Sequence, residues 1–242
     1  KVNVVVNEAQ SEMMFQEKAE KELLEYNNRR EGPILEADQK FFFKLVANIP
    51  DNQLSNWSVG IPKLRNMSIK AMLAKQSNPE IILKNEENEI MSYEALNKLN
   101  LIYLYYTNRF QDEKNNFNYF DYDLDNSLLG LFVPEYILKL DMYNLLMQAT
   151  NSQHGLSASN RKFYWNPIKN FFEPITYDSN ININELTPTT TTVTFRLPIS
   201  SQFYKAFDVL KKKISNLDLS KIHNNLKHSG ISLSKDNLSK KI

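Results

Sequence analysis

The chain has 242 residues, of which 42% are hydrophobic, 12% aromatic and 24% charged, so it has enough apolar material for a buried core. Its 29 basic and 28 acidic residues leave a net charge of +1, and this balance gives no reason to expect nucleic-acid binding. The absence of cysteine excludes disulfides, cysteine nucleophiles and thiolate metal sites.

Glycine placement excludes the common phosphate-binding loops. The five glycines are Gly32, Gly60, Gly130, Gly155 and Gly230. None lies near another, so no G-x-G-x-x-G turn, Walker A loop or G-x-S-x-G nucleophile elbow can form. The longest apolar stretches, Leu101–Tyr106 and Leu128–Val133, are far shorter than the roughly 18 residues that suggest a membrane span.

The first half of the chain mixes short predicted strands and helices. The predicted elements are a strand over 2–6, a turn over 7–11, a helix over 13–26, helices near 65–76 and 92–109, and a polar loop over 111–125. Alternating valines indicate the strand, and apolar residues spaced three or four apart indicate the helices. Gly32-Pro33 prevents the helix over 13–26 from continuing.

The second half is predicted to hold a buried helix and a hairpin. Pro134 suits the first turn of a helix, and apolar residues on nearly every face as far as Ala149 predict that this helix is buried. Two aromatic runs, 161–165 and 171–177, are separated by a segment containing Asn-Pro, which predicts a β-hairpin with a longer loop. With a further helix predicted over 201–216, the fold class is α+β and mostly helical.

The acidic run at 121–125 does not fit an EF-hand calcium loop. Counting from Asp121, Asn126 and Phe132 occupy the positions that require glycine and a bidentate glutamate. We interpret the run as a solvated acidic loop.

The segment 151–180 carries the residues best suited to chemistry. A polar loop holds His154 and Asn160, and the predicted hairpin then leads to Asp178. Kinases use such an order, in which a catalytic loop supplies a base and a metal-binding Asn, and a later Asp binds Mg²⁺. Asn160 and Asp178 could meet across a hairpin, because paired strands lie about 5 Å apart. The alternative is that Asp178 only forms the turn after a strand.

Two blocks of sequence carry a more specific pattern. The upstream block is Glu17, Lys21-Glu22-Leu23-Leu24-Glu25 and Arg29-Arg30-Glu31-Gly32-Pro33-Ile34-Leu35, and the downstream block is His154-Gly155, Asn160-Arg161-Lys162-Phe163-Tyr164-Trp165-Asn166-Pro167 and Glu173-Pro174-Ile175-Thr176-Tyr177-Asp178. In this order they resemble the bacterial spore-coat protein H (CotH) kinase family, whose patterns are E-x-x-x-K-E-L-x-E … R-R-E-G-P-I-L and H-G … N-x-R-F-Y-Y-N-P … E-P-I-x-Y/W-D. The resemblance covers mainly 1–50 and 130–180.

The resemblance implies a divergent protein-kinase-like fold, mainly the helical C-lobe, that uses ATP and Mg²⁺ to phosphorylate Ser or Thr of a protein substrate. By this analogy Asn160 and Asp178 bind the metal, and Glu17 lies near the adenine. Arg29 and Arg30 would contact phosphates, or would form a solvated basic helix end.

Three departures from the family pattern bear on activity. Members carry a candidate catalytic Asp one or two residues before His154, where this chain has Ser152 and Gln153. Catalysis at the base position would therefore depend on His154 and Ser152. The phosphate-anchoring Lys of the family lies upstream of the region matching Lys1, and we expect the chain to be a fragment or processed form. Asn180 stands where the family has a second carboxylate, so it would be a weaker metal ligand.

The resemblance divides the chain into 1–50, a remnant of the first lobe and the inter-lobe connection; 51–216, the helical C-lobe with hairpin 161–178; and 217–242, a polar C-terminal tail. Two functions remain open: a CotH-type protein kinase, and a catalytically dead pseudokinase that acts as a coat or surface interaction module. The family suggests a bacterial cell-envelope or secreted location.

A glycan-acting enzyme with paired carboxylates has little support from the sequence. Glu173 and Asp178 lie five residues apart in a predicted strand, so they should face opposite sides of the sheet.

Overall fold

The computed structural model describes residues 2–6, 9–13, 18–48, 72–112, 124–150, 152–179 and 200–228. Within these ranges the strands are β1 (Val2–Val6), β2 (Ala9–Met13), β3 (Ile34–Ala37), β4 (Ala74–Gln76), β5 (Lys162–Asn166) and β6 (Phe171–Ile175). The helices are α1 (Lys21–Tyr26), α2 (Lys40–Ala47), α3 (Glu86–Asp112), α4 (Asn126–Leu129), α5 (Pro134–Ala149), α6 (Phe203–Ser215) and α7 (Leu219–His228), with 3-10 turns at Pro79–Ile81 and Gln153–Leu156. The predicted mixture of helix and sheet is confirmed.

A four-stranded antiparallel sheet brings distant parts of the chain together. Its order is β4-β3-β5-β6, so β3 lies between a strand that follows it and the later hairpin. Leu35 of β3 lies opposite Phe163 of β5, and Trp165 of β5 lies opposite Phe172 of β6. β1 and β2 form a separate antiparallel pair. The predicted hairpin is therefore confirmed, and it is the half of the sheet that carries the candidate site.

Strand alternation gives the sheet one apolar and one partly polar face. Leu35, Phe163, Trp165 and Phe172 are fully buried in the main core, where they join residues of α3 and α5. The Phe172 ring centroid lies 4.7 Å from that of Trp165 and 5.9 Å from that of Phe163. The opposite face carries Glu36, Lys162 and Tyr164, and α1 covers only part of it.

Helix α5 begins and ends at the predicted residues, Pro134 and Ala149. It buries Asp141 and Asn144 as well as apolar residues. Asn126 Nδ2 donates to Asp141 Oδ1 over 2.8 Å, and the buried Arg161 donates from Nη2 to Asn144 Oδ1 over 3.1 Å. Since Arg161 immediately precedes β5, this bond fixes the start of the hairpin on the helix.

Three sequence predictions are wrong for the residues that the structure describes. The predicted turn and helix start at 9–13 are strand β2, and the helix begins only at Lys21. Residues 74–76, predicted as helical, form β4 because they pair with β3. The tail predicted from 217 contains α7, whose Leu219, Ile222 and Leu226 repeat at helical spacing.

The other helix predictions are confirmed with small changes of bounds. α3 extends the helix predicted over 92–109 to Glu86–Asp112, and α6 matches the helix predicted over 201–216. Across the described ranges no helix is long and apolar enough to cross a membrane.

Candidate functional site

The loop before β5 and the turn after β6 lie in direct contact. The 3-10 turn Gln153–Leu156 packs against the backbone at 177–179, and Gly155 makes this approach possible. A Cβ atom on Gly155 would lie 2.7 Å from Met147 Cε, 3.0 Å from the Tyr177 carbonyl oxygen and 3.2 Å from Ser179 Cα. Because that space is too small for a side chain, glycine at 155 allows the two segments to come this close.

Three of the predicted site residues meet at this junction. His154 Nε2 lies 3.2 Å from Asp178 Oδ2 and 2.9 Å from Asn160 Nδ2. Asn160 Nδ2 also donates to the His154 carbonyl oxygen over 3.2 Å. The His154 and Asp178 side chains are 62% and 56% exposed, so the group is open to a ligand.

The backbone at Asp178 has φ of 43°, in the left-handed region. Aspartate and asparagine enter this region more readily than most residues with a side chain. The turn therefore suits Asp178, and it places the carboxylate beside His154.

The oxygen atoms of Asp178 and Asn160 are the possible ligands of a hard cation in this group. His154 Nε2 lies within hydrogen-bond distance of the Asn160 amide nitrogen, which donates, and of an Asp178 oxygen, which accepts, and it can bond to one of them at a time. The Asp178 carboxylate lies 3.2 Å from this ring nitrogen. The described residues contain no group of three or more His, Cys, Asp or Glu suited to a metal, so an ion here would also need amide or phosphate oxygens.

Gln39 connects this group to the sheet. Its Nε2 donates to the Ser159 carbonyl oxygen over 2.5 Å and lies 3.4 Å from Asn160 Oδ1. Gln39 follows β3, so the loop that holds Asn160 is fixed from the N-terminal part of the chain. No sequence signal identified this residue, because the contact spans about 120 positions.

A second polar group, which sequence reasoning missed, adjoins the first. Lys162 Nζ lies 2.5 Å from Glu36 Oε2 and 4.0 Å from the centroid of the Tyr177 ring. Lys75 Nζ lies 3.3 Å from the other Glu36 oxygen. Tyr177 immediately precedes Asp178, so the two groups are neighbours. The available signal was a glutamate in the otherwise apolar strand Ile34–Ala37.

The pKa of Glu36 reflects this setting. Burial raises the pKa of the carboxyl, but the hydrogen bond and charge of Lys162, together with the charge of Lys75, outweigh burial and hold the pKa below its ordinary value. The ionised carboxylate is thus stabilised by folding.

We expect Glu36→Gln to reduce the acid sensitivity of the fold. A carboxyl with a lowered folded-state pKa adds stability that is present above its unfolded pKa of about 4.5 and is lost as the pH falls through the folded value. The difference in melting temperature between about pH 6 and about pH 3 should be smaller in Glu36→Gln than in the parent. Glu80→Gln, which removes an exposed carboxylate, should behave like the parent. An equal acid loss in Glu36→Gln and the parent would contradict this assignment.

A cleft of about 370 Å³ runs beside the outer part of the sheet. It is lined by Ala19, Leu23, Leu24, Asn27, Arg29, Tyr164, Glu173, Pro174, Ile175, Thr176 and Tyr177. Its size is at the lower end of the range for small-molecule sites. The lining extends to Tyr177, so the cleft approaches the turn that holds Asp178.

The two predicted phosphate-contacting arginines differ in position. Arg29 lines the cleft and its Nε bonds Glu173 Oε2 over 2.5 Å. The side chain of Arg30 is exposed and is not part of the lining, although its carbonyl oxygen accepts the Tyr164 hydroxyl proton over 2.7 Å.

The remaining predicted site residues lie elsewhere. Ser152 is fully buried, with its hydroxyl 2.8 Å from Thr150 Oγ1, so it does not reach the open group around His154. Glu17 and Asn180 lie outside the described residues.

Two carboxylates considered in the sequence take different positions from those expected. Asp125, at the end of the acidic run, caps α4 by accepting from the Ser127 backbone over 2.7 Å, and the rest of that run lies outside the described residues. β6 ends at Ile175, so Asp178 is not part of the strand. The prediction that Glu173 and Asp178 face opposite sides of the sheet assumed that both lie in one strand, and it was wrong on that point.

No family model, curated protein or solved structure matches the chain.

Proposed function

We propose that the chain is a kinase-like module of the CotH type that binds ATP with Mg²⁺ and transfers phosphate to Ser or Thr of a protein substrate. The observation that carries the proposal is the meeting of His154, Asn160 and Asp178 at the open end of the hairpin. Kinases gather a base, a metal-binding amide and a metal-binding carboxylate at this position of a hairpin.

The donor set fits Mg²⁺, which prefers carboxylate and amide oxygens and shares its shell with phosphate. Asp178 and Asn160 would hold the ion. Bound Mg²⁺ neutralises charge on the phosphates during transfer. Both side chains contact His154, so their oxygens lie at the same open end of the hairpin.

The neighbouring residues have separate roles in the proposal. The cleft, with its apolar wall of Ala19, Leu23 and Leu24, would hold the adenine, and Arg29 at its rim would face the phosphates. Lys162 and Lys75 together exceed the charge of Glu36 by one, which leaves these three residues with a net positive charge next to Tyr177. His154 would take the proton of the attacking hydroxyl at Nε2, since Ser152 and Gln153 at the usual base position cannot act as a carboxylate base.

A pseudokinase is the second candidate, and one observation favours it. The position that normally supplies a carboxylate base is taken by Ser152, which is fully buried, and by Gln153. His154, which follows this position, is then the candidate for proton transfer among the described residues of the loop. A chain that binds nucleotide without transferring phosphate would act as an interaction module.

Calorimetric titration with ATP, with and without Mg²⁺, tests nucleotide binding. We expect ATP to bind in the presence of Mg²⁺ and only weakly without it. Of the two proposed ligands, Asn160 is neutral and Asp178 carries one negative charge, which repels the phosphates unless a cation lies between them. If the folded chain does not bind ATP in the presence of Mg²⁺ or of Mn²⁺, that result would contradict the proposal.

Mass spectrometry of the chain incubated with ATP and Mg²⁺ then separates the two candidates. Phosphate on the chain or on an added protein, lost in His154→Asn while ATP binding persists, supports the kinase. Binding without transfer supports the pseudokinase.

A further inference from the structure

The charge of the chain is strongly divided between its two parts. Residues 200–242 contain nine lysines, three aspartates and no arginine or glutamate, a net charge of +6. Residues 1–199 contain 20 basic and 25 acidic residues, a net charge of −5. The overall charge of +1 conceals this division, which gives the C-terminal part a positive potential.

Helix α6 presents this charge together with apolar side chains. Its inner side packs Ala206 and Leu210 against Leu145 of α5. Tyr204, Phe207 and Ile214 are 72%, 51% and 37% exposed. Lys211 lies between Phe207 and Ile214. Successive members of this set are three or four residues apart, so their side chains form one continuous exposed stripe.

Lysines of α6 lie in or beside this stripe, except Lys213, which is on the opposite side of the helix, and they remain without ion-pair partners among the described residues. They are Lys205, Lys211, Lys212 and Lys213, all exposed on α6. Lys221 and Lys227 of α7 are also exposed. Their charge is therefore available to an external partner, and the aromatic and aliphatic side chains beside them offer apolar contact.

We propose that the outer surface of α6, defined by Tyr204, Lys205, Phe207, Lys211, Lys212 and Ile214, binds the surface of an anionic lipid bilayer. Amphipathic helices that lie in a membrane interface combine lysines with exposed aromatic and aliphatic residues. Nucleic-acid sites use arginine extensively for bidentate contacts, and residues 200–242 contain none. The combination of lysine with an apolar stripe favours lipid. The proposal does not depend on nucleotide binding at the hairpin.

Flotation of the full chain with vesicles tests the proposal. The chain should float with vesicles of phosphatidylcholine and phosphatidylglycerol in equal parts, and should stay unbound with phosphatidylcholine alone. Lys205→Ala/Lys211→Ala/Lys212→Ala should lower the partition coefficient by about a hundredfold, since each lysine near an anionic surface contributes about fivefold. Phe207→Ser should weaken binding at high salt, where the apolar contribution remains.

A matched triple variant provides the control. Lys40→Ala/Lys44→Ala/Lys169→Ala removes the same charge from α2 and the hairpin turn, where these lysines are also exposed. It should retain vesicle binding. Equal losses in the two triple variants, or no binding of the parent to anionic vesicles, would overturn the proposal. Binding to a DNA duplex without binding to vesicles would also overturn it, in favour of a nucleic-acid surface.

Discussion

Replacement of Asp178 by Asn is expected to lower the affinity for ATP with Mg²⁺ by about a hundredfold or more, with the fold retained. The change removes one negative charge from the place where His154 Nε2 and the carboxylate lie 3.2 Å apart. Asparagine keeps the shape of the side chain and tolerates the left-handed backbone at this position, where φ is 43°. The loss should therefore come from the missing charge. Titration calorimetry of the variant and parent measures it.

Asp208→Asn is the matched control, because it removes one exposed carboxylate on α6, far along the chain from the hairpin. It should leave the affinity for ATP unchanged. If Asp178 serves only as a turn former, Asp178→Asn will bind ATP as the parent does. That result would remove the main metal ligand from the proposed function.

Phe172→Ala is expected to lower the free energy of unfolding by about 3–5 kcal/mol. The ring is fully buried and lies between Trp165 and Phe163, so truncation leaves a cavity in the core beneath the candidate site. Denaturant unfolding followed by circular dichroism measures the change. Phe207→Ala, which truncates the same residue type where it is 51% exposed, should cost less than about 1 kcal/mol. Similar losses in the two variants would contradict the assigned core.

Sequence reasoning succeeded where the signal was local. Pro134 and a long apolar run specified α5 to the residue, and two aromatic runs specified the hairpin. Sequence reasoning failed for β2 and β4. Such short strands form only because a partner strand lies beside them, and β4 contributes only Ala74–Gln76 to the sheet, too few residues to show a pattern of their own. A helical spacing of apolar residues can also occur in such segments by chance.

The same difference between local and distant contacts decides which residues of the candidate site could be predicted. Asn160 and Asp178 could be linked through the hairpin, which is a local structure, and His154 lies in the loop just before it. The Glu36–Lys162 pair and the Gln39 contact join residues more than a hundred positions apart, so neither could be identified from spacing. The burial of Ser152 depends on packing around α5, which residue type alone does not report.

The central place of β3 in the sheet has a consequence during synthesis. β3 can pair with β4 early, but its other edge waits for β5, whose first partner residue is Lys162. At typical rates of translation that edge stays open for about 6 to 25 seconds. Exposed strand edges invite pairing with other chains, and a charged residue within the strand discourages it. Glu36 supplies a charged side chain at this edge, paired first with Lys75 of β4 and then also with Lys162 when β5 is made. The Glu36 carboxylate thus discourages pairing with other chains while the sheet is incomplete, and forms an ion pair with Lys162 once it is complete.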